Sequence, residues 1–408
     1  MHRAISFNGS FHPSELIARI GTRHTRREVA EESNTMRDGA VRERKIRIGI
    51  VGATPRRGWA GSAHVPALQA IPSLTLHAVA TRSEASARIA AEAFGAPLWF
   101  GDPAAMIEYE EVDAVVIAVK APDHFGLVRQ ALLCGKPVYC EWPFGRTVEE
   151  ARTLDALARD RNVATAVGLQ GRFSPWLRQA RDLVVTGRLG RILSTSLLAY
   201  DELSVGSVDE GNAYLLDAAN GANPLTIHSG HYIDALCFVL GELVTVSAVT
   251  AVSKPRVRVR QTGETRTATS PDQIAVCGLL EDGAVASFQM RAGSGDPSFT
   301  WEIQGERGVL RISSAGYLMW RPLRLEVWDA ETKRWDALPP PDTAEGLGGL
   351  GALAEPARNI ARAYDAFAAD ILTGSRSSVT FSDARRRRET VEAARTAAQD
   401  GVAKSPLT

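Results

Sequence analysis

Short apolar segments alternate regularly with helix-like segments between residues 46 and 167 of this 408-residue chain. The apolar segment at 113–119 is apolar almost throughout, which is typical of a strand buried on both faces. Strands that alternate with helices in this way favour a parallel sheet built from βαβ units. We therefore predict an α/β fold whose N-terminal domain, residues 45–168, is a Rossmann-type doubly wound parallel sheet. The predicted strands are 46–51, 74–80, 113–119, 138–141 and 163–167, and the predicted helices begin near Ser62 and cover 84–94, 125–134 and 148–161.

Residues 169–408 follow a different pattern, in which consecutive strands are joined by tight turns. Glu281-Asp282-Gly283 joins strands 273–280 and 284–291, as in a β-hairpin, and Gly305-Glu306-Arg307-Gly308 joins the next two. This pattern predicts an α+β C-terminal domain with an open, mainly antiparallel sheet, which would bind substrate and join subunits, followed by terminal helices. Residues 1–44 are rich in Arg, Glu and Ser and lack periodicity, so we predict a flexible N-terminal extension there. The other predicted strands are 192–200, 244–252, 300–304, 309–313 and 323–328, and the terminal helices are 357–372 and 382–399.

The composition excludes several classes of function. Lys plus Arg and Asp plus Glu balance at 47 each, so the chain lacks the positive field that holds nucleic acid. Its apolar runs are short and interrupted, and we expect neither a membrane span nor a signal peptide. The four cysteines form no C-x-x-C pair, so we expect buried free thiols, no metal site and a cytoplasmic location.

The first predicted strand runs into a glycine-rich turn, Gly52-Ala53-Thr54-Pro55-Arg56-Arg57-Gly58-Trp59, ahead of the first helix. The turn departs from the G-x-G-x-x-G pattern, but glycines between a strand and a helix N-terminus let the backbone approach a pyrophosphate. We expect Gly52, Ala53, Thr54, Gly58 and Trp59 to bind a dinucleotide. The alternative is a plain surface turn.

The second predicted strand is followed by Thr81-Arg82-Ser83, at the position where NAD-binding chains place an acid for the ribose hydroxyls. Arg82 and Ser83 can instead bind a 2′-phosphate, which an acid would repel. This sequence favours NADP as the cofactor, with NAD as the alternative, unless Arg82 is only a solvated side chain.

Several short motifs share the order and spacing of one known family. With them the chain resembles, from about residue 46 to its end, the Gfo/Idh/MocA family of oxidoreductases. Two runs, Cys140-Glu141-Trp142-Pro143 and Leu169-Gln170-Gly171-Arg172-Phe173-Ser174-Pro175, resemble more narrowly the subgroup that contains a yeast galactose-regulon repressor. The other motifs are His64-Val65-Pro66-Ala67-Leu68, Asp113-Ala114-Val115, Ala121-Pro122-Asp123-His124, the run from Gly135 to Pro143, and Gly230-His231-Tyr232-Ile233-Asp234.

The resemblance implies that the nicotinamide lies against the loops after Val119 and Cys140. It also implies that Glu141, Trp142 and Pro143 contact the cofactor, with the bond before Pro143 a candidate for the cis form.

Family dehydrogenases use the lysine of a Glu-Lys-Pro motif, an acid, and a histidine four residues after that acid. Here Trp142 stands in place of the lysine and Ile227 in place of the acid, and only His231 matches. Because an indole N–H only donates, Trp142 cannot exchange a proton with a substrate.

Other residues offer substitute chemistry. Lys120 ends the third predicted strand, at the sheet edge where ligands bind in such folds, and a desolvated lysine can act as acid or base. We name His231 and Lys120 as candidate catalytic residues, and Arg172 and His228 as candidate substrate-binding residues. The alternatives are that His231 is packed and bonded to Asp234, and that Arg172 pairs with a local carboxylate.

Two functions from different classes stay open at this point. The first is an NAD(P)-dependent oxidoreductase that transfers a hydride between a nicotinamide cofactor and a sugar, polyol or sugar derivative. The second is a catalytically silent dinucleotide-binding regulatory protein that engages a protein partner. We favour the enzyme. In both cases the uncovered face of the C-terminal sheet predicts a homodimer or homotetramer.

Overall fold

A six-stranded parallel sheet forms the N-terminal part of the computed structural model, which describes residues 45–55, 58–201, 206–293, 298–341 and 350–401. Its spatial order is β3-β2-β1-β4-β5-β6, and every neighbouring pair is parallel, which confirms the predicted doubly wound sheet. The predicted extension 1–44 lies outside the described residues. The strands are β1 Ile46–Val51, β2 Leu74–Ala80, β3 Leu98–Phe100, β4 Ala114–Ile117, β5 Val138–Cys140 and β6 Thr165–Val167.

Several helices of this part begin after residues whose side chains cap them, namely Ser83, Asp102 and Thr147. The α2 helix begins after Ser83, whose side chain accepts a hydrogen bond from the Ser86 amide, and it ends at Gly95 in the left-handed conformation. A π-helical turn, Ala60–His64, leads from the glycine-rich turn into α1. The helices are α1 Val65–Gln69, α2 Glu84–Phe94, α3 Pro103–Glu108, α4 His124–Leu133 and α5 Val148–Arg161.

An eight-stranded sheet forms most of the C-terminal part and confirms the predicted mainly antiparallel architecture. Its pairs are antiparallel except that of β7 with β13. The helix α7 (His228–Leu240) is almost entirely buried, and α6 (Pro175–Val185) packs against it. In spatial order the strands are β17 Arg334–Ala337, β16 Arg324–Asp329, β15 Gly308–Ser314, β14 Phe299–Gly305, β7 Ile192–Asp201, β13 Val285–Ala292, β12 Gln273–Leu280 and β9 Leu243–Ala251.

A small three-stranded sheet was not predicted. It consists of β8 (Ser207–Val208), β10 (Arg256–Val259) and β11 (Thr265–Thr267), and it carries the 3₁₀ segment Glu210–Leu216. The strands β8 and β11 are too short to give a strand pattern, and β10 alternates over only four residues, with Val257 and Val259 buried. A small apolar cluster of its own stabilises this sheet. The cluster consists of Val208, Ala213, Leu216, Val257, Val259 and Ala268.

The terminal helices α8 (Glu355–Thr373) and α9 (Phe381–Asp400) return the chain to the parallel sheet. The Val167 amide donates to the Val379 carbonyl at 2.9 Å, so the segment between the two helices covers the edge strand β6. The C-terminal part of the chain therefore contacts the parallel sheet directly. The domain boundary at residue 168 stays a prediction.

The cysteines are free, as predicted, but only Cys140 and Cys237 are buried. The expectation of burial is wrong for Cys134 and Cys277. Cys134 caps the exposed end of α4, and Cys277 points away from the face of β12 that carries the buried Val276.

Candidate cofactor and active site

The glycine-rich turn leaves β1 in a conformation that only glycine suits. Gly52 has φ +96°, and a Cβ there would lie 2.7 Å from the Ala118 carbonyl oxygen. Gly58 has φ +116°. The turn therefore brings its backbone close to the carboxyl end of β4, where doubly wound sheets bind nucleotides.

A cleft of about 1190 Å³ opens at this end of the sheet, large enough for a dinucleotide. One wall comes from the loops after β1, β2 and β4, and the other from the segment after β8. The polar and glycine residues of the lining are Gly52, Thr54, Gly58, Thr81, Arg82, Lys120, Asp123, Gly126, Asp209, Gly211, Asn212 and Tyr214, and Trp59 lines it beside them.

The groups in the cleft fit a nicotinamide dinucleotide. The indole Nε1 of Trp59 is buried and has no hydrogen-bond partner among the described residues, so a donor is left for a bound ligand. Arg82 is exposed and lines the cleft, whereas the Ser83 hydroxyl is engaged in capping α2. Ala53 is fully buried, so its side chain contacts the protein interior.

Lys120 faces the cleft from the loop after β4. Its ammonium lies 4.8 Å from the centre of the Tyr214 ring, which belongs to the opposite wall. Burial raises the pKa of the Tyr214 phenol. Sequence reasoning missed Tyr214, Asp209 and Asn212. The small sheet positions them at the cleft, and this sheet was not predicted from the sequence.

The loops after β4 and β5 are held together by His124. Its Nδ1 lies 2.8 Å from the Pro143 carbonyl and its Nε2 lies 3.0 Å from the Val119 carbonyl. Burial lowers the pKa of this imidazole. The Trp142–Pro143 peptide bond is cis, as the resemblance suggested.

Trp142 does not face the cleft. It is 4% exposed, and its Nε1 donates to the Thr226 carbonyl at 2.8 Å, just before the start of α7. A Cβ on Gly230 would lie 2.6 Å from that nitrogen, so the indole packs directly on the helix backbone. The indole thus fills the space between β5 and α7.

The two candidate histidines lie on α7, behind the indole. His231 is 7% exposed, and burial lowers its pKa to about 3, with Asp234 opposing and His228 adding to that shift. The rings of His228 and His231 both pack edge-on against Tyr317. Neither histidine lines the cleft.

Arg172 binds a carboxylate of the protein. Its guanidinium donates to Asp234 at 2.7–3.1 Å, and Asp234 also accepts from the fully buried Arg387 at 3.2 Å. Burial alone would raise the pKa of Asp234, but the two cations lower it. Arg387 pairs in turn with Glu242. This arrangement is the alternative that the sequence left open for Arg172.

Glu141 lies beside the cleft rather than in it. Its Oε1 is 3.1 Å from His64 Nε2, and its side chain is 14% exposed. The structure therefore brings Gly52, Thr54, Gly58, Trp59, Arg82 and Lys120 together in the cleft. Outside it, Trp142, Pro143, His228 and His231 are buried, whereas Glu141 and Arg172 are partly buried.

Two family models match the chain. The model described as "Oxidoreductase family, NAD-binding Rossmann fold" (GFO_IDH_MocA) matches residues 46–169. The model described as "Gal80p, C-terminal domain" matches residues 175–314.

The relatives by sequence include a dehydrogenase and a regulator. Dehydrogenase aclE of Aspergillus oryzae is 31% identical over 312 residues, which cover 72% of this chain and 85% of that protein. The galactose/lactose metabolism regulatory protein GAL80 of Kluyveromyces lactis is 27% identical over 303 residues, 67% of this chain and 65% of that protein.

Solved structures give the same two kinds of neighbour. Levoglucosan dehydrogenase in complex with NADH and levoglucosan superimposes with a TM-score of 0.78 at 22% identity, covering 90% of this chain and all of that one. A super-repressor mutant of Gal80p from Saccharomyces cerevisiae gives 0.77 at 20% identity, covering 88% and 98%. At such identities these matches show the shared fold.

Among the described residues, no helix is long and apolar enough to cross a membrane, and no cluster of His, Cys, Asp or Glu is arranged to hold a metal ion.

Proposed function

We propose that this chain, which belongs to the Gfo/Idh/MocA family of oxidoreductases, transfers a hydride between a nicotinamide cofactor and a sugar, polyol or sugar derivative. The observation that carries the proposal is the cleft at the carboxyl end of the parallel sheet, where the glycine-rich turn and Lys120 meet. The levoglucosan dehydrogenase neighbour, whose structure contains NADH and a sugar derivative, supports the substrate class.

For the cofactor we propose NADP, with NAD as the alternative. Arg82 lines the cleft just after β2 and can pair with a 2′-phosphate, and no acid stands at that turn. The matched family model is described only as NAD-binding, so the choice rests on Arg82.

We assign the proton transfer to Lys120. The bound cofactor supplies the hydride acceptor at C4 of its nicotinamide ring. The protein must remove the hydroxyl proton of the substrate. Lys120 is exposed to the cleft and not desolvated as the sequence suggested, so we propose that bound cofactor and substrate desolvate it and that its uncharged amine then accepts this proton. His231 does not line the cleft, and its low pKa makes it a weak base, so we give it a hydrogen-bonding role in the proposed site. The substrate-binding roles of Arg172 and His228 stay predictions.

The experiment is a steady-state assay at 340 nm with NADP⁺ or NAD⁺ and a panel of sugars and polyols, together with cofactor binding by calorimetry. Lys120→Met should lower kcat at least a hundredfold while the cofactor Kd changes less than tenfold. Lys45→Met, at an exposed lysine outside the cleft, is the matched control. Unchanged turnover in Lys120→Met would remove the assignment.

A dinucleotide-dependent regulator is the second candidate. It is favoured by the packed indole at position 142 and the aliphatic Ile227, which remove the groups that family dehydrogenases use. The GAL80 relatives share this C-terminal domain model. Cofactor binding without turnover across the whole panel would select this candidate over the enzyme.

We further propose a homodimer or homotetramer in the cytoplasm. The outer face of the eight-stranded sheet exposes Val249 (71%), Val285 (54%) and Leu279 (40%), and a second copy would cover them. The free cysteines suit a reducing compartment. Sedimentation velocity of the full chain tests the assembly.

A further inference from the structure

A chain of three polar side chains lies under the cofactor turn, in the interior of the protein. The Tyr364 hydroxyl is 2.6 Å from His64 Nδ1, and His64 Nε2 is 3.1 Å from Glu141 Oε1. His64 and Tyr364 are 0% and 1% exposed. The three residues come from α1's leading turn, the end of β5 and α8, and we call them the Glu141–His64–Tyr364 chain.

The contact between His64 and Glu141 is close but not aligned. Both His64 Nε2 and Glu141 Oε1 lack a hydrogen bond of good geometry among the described residues. Buried polar atoms in this state are rare in native structures, and catalytic and binding contacts often tighten only when the ligand is present. The pair is therefore close to a hydrogen bond that a small movement of the carboxylate would complete.

The hydrogen bond with Tyr364 determines which nitrogen of His64 carries the proton, and therefore whether His64 can donate a hydrogen bond to Glu141. When the phenol donates to Nδ1, the proton of a neutral imidazole must sit on Nε2, which then points a donor at the carboxylate. Burial raises the pKa of Tyr364, so this phenol keeps its proton. Without the hydroxyl the imidazole can take either tautomer, and one of them presents a lone pair to the carboxylate.

Glu141 lies beside the cleft, on the side of β4 and β5. Its amide donates to the Ile117 carbonyl at the end of β4, the strand whose next residues line the cleft. In a doubly wound sheet the dinucleotide lies across the switch point, here between β1 and β4, with its second half on the β4–β5 side. The Trp59 ring, which lines the cleft, packs edge-on to His64 at 6.3 Å between centroids.

We propose that Tyr364 and His64 are positioning residues that hold the Glu141 carboxylate toward the nicotinamide half of the cofactor site. The inference rests on the cofactor-binding part of the proposed function and not on hydride transfer. It places a determinant of cofactor affinity on α8, far along the chain from the glycine-rich turn.

The test compares Tyr364→Phe with Tyr139→Phe in the full chain. Tyr139 is equally buried and its ring lies 5.0 Å from that of Tyr364, but its hydroxyl has no hydrogen-bond partner among the described residues. Both variants lose one buried hydroxyl, so general damage to packing should be similar. Only Tyr364→Phe removes the hydroxyl that orients His64.

The readout is the ratio of two dissociation constants, measured by calorimetry. One is for NADP⁺ or NAD⁺, whichever binds more tightly, and the other is for the adenosine half of the same molecule, adenosine 2′,5′-bisphosphate or AMP. Tyr364→Phe should weaken the dinucleotide about three- to tenfold and leave the truncated ligand unchanged, as expected for loss of one hydrogen bond. Tyr139→Phe should change neither.

A double-mutant cycle with Glu141→Gln separates positioning from simple structural damage. If Tyr364 acts through the carboxylate, Tyr364→Phe should have no further effect on the ratio once Glu141→Gln is present. Equal loss for both ligands, equal ratios in the two tyrosine variants, or additive effects in the cycle would overturn the inference. Failure of the wild-type chain to bind any of these ligands would overturn the cofactor proposal itself, and this inference with it.

Discussion

The cofactor cleft and the region around Trp142 follow neighbouring strands of one sheet, yet they are built in opposite ways. The cleft is open, and exposed Arg82 and Lys120 line it. The second region, which we call the Trp142 cluster, consists of Trp142, Gly230, His231 and Asp234. Its members are all buried.

The difference shows that the glycine-rich turn and the position of the family lysine have opposite surroundings in this fold. The turn after β1 keeps the geometry that a pyrophosphate needs, since Gly52 tolerates no Cβ. The place where family dehydrogenases carry a lysine instead contains an indole bonded to the Thr226 carbonyl. The turn that is expected to bind a dinucleotide is therefore kept in a chain whose usual proton-transfer position is filled by a buried indole.

The largest expected effect concerns the ion pairs that Asp234 of the Trp142 cluster forms with Arg172 and Arg387. Asp234→Asn removes the carboxylate that pairs with both Arg172 and Arg387. Glu242 still pairs with Arg387, but positive charge is left in excess in a buried region, so the free energy of unfolding should fall by about 3–5 kcal/mol. Urea unfolding of the unliganded chain measures it. Glu306→Gln, which breaks the exposed pair with Arg191, should cost less than about 1 kcal/mol. Similar losses in both variants would contradict this account of the cluster.

A smaller effect is expected where the indole meets α7. Gly230→Ala places a methyl group 2.6 Å from Trp142 Nε1, so the indole or the helix must move, at a cost of about 2 kcal/mol. Gly126→Ala is the matched control, because Gly126 also lies within a helix but has no atom near its Cβ position. It should gain up to about 1 kcal/mol from helix propensity. If both substitutions stabilise the chain, the indole is not tightly packed and the contrast with the cleft weakens.

Much of the parallel sheet could be predicted from the sequence, because its strands are mostly apolar and several of its helices carry their own caps. The α2 helix illustrates this, since Ser83 and Gly95 mark its two ends. The turn residues Gly52 and Gly58 could be identified for the same local reason. Lys120 was found from its position after a strand alone.

The other half of the site depends on contacts between distant segments. Tyr214 reaches the cleft through a small sheet whose strands are only 2–4 residues long. Tyr364 meets His64 across 300 residues of sequence. No local pattern encodes such pairs, so they could not be read from spacing or periodicity. Arg172 was identified as a binding residue by its motif, and the structure supplied Asp234 as its partner.

The smallest expected effect tests whether water is excluded from the Trp142 cluster, as the packing of its residues indicates. The folded-state pKa of His231 is about 3, below the ordinary 6.5, so the folded chain binds fewer protons than the unfolded chain between these values. Stability from a neutral His231 is thus fully present above pH 6.5 and is lost as the pH falls below it. Burial is the main cause of this low pKa; of the charged and titratable groups that act on the ring, Asp234 raises the pKa and His228 lowers it.

His231→Gln should therefore make unfolding less sensitive to acid. Between pH 7.5 and 5.5 the free energy of unfolding of the wild-type chain should fall by about 1 kcal/mol more than that of the variant. The reason is that unfolding of the variant no longer exposes an imidazole that takes up a proton in this range. His77→Gln, at a partly exposed histidine of β2, serves as the control and should leave the pH dependence of the wild-type chain in place. Parallel curves for wild type and His231→Gln would mean that the imidazole titrates as in water. The Trp142 cluster would then admit solvent and offer His231 as a base beside the cleft, and the separation between the two regions would no longer hold.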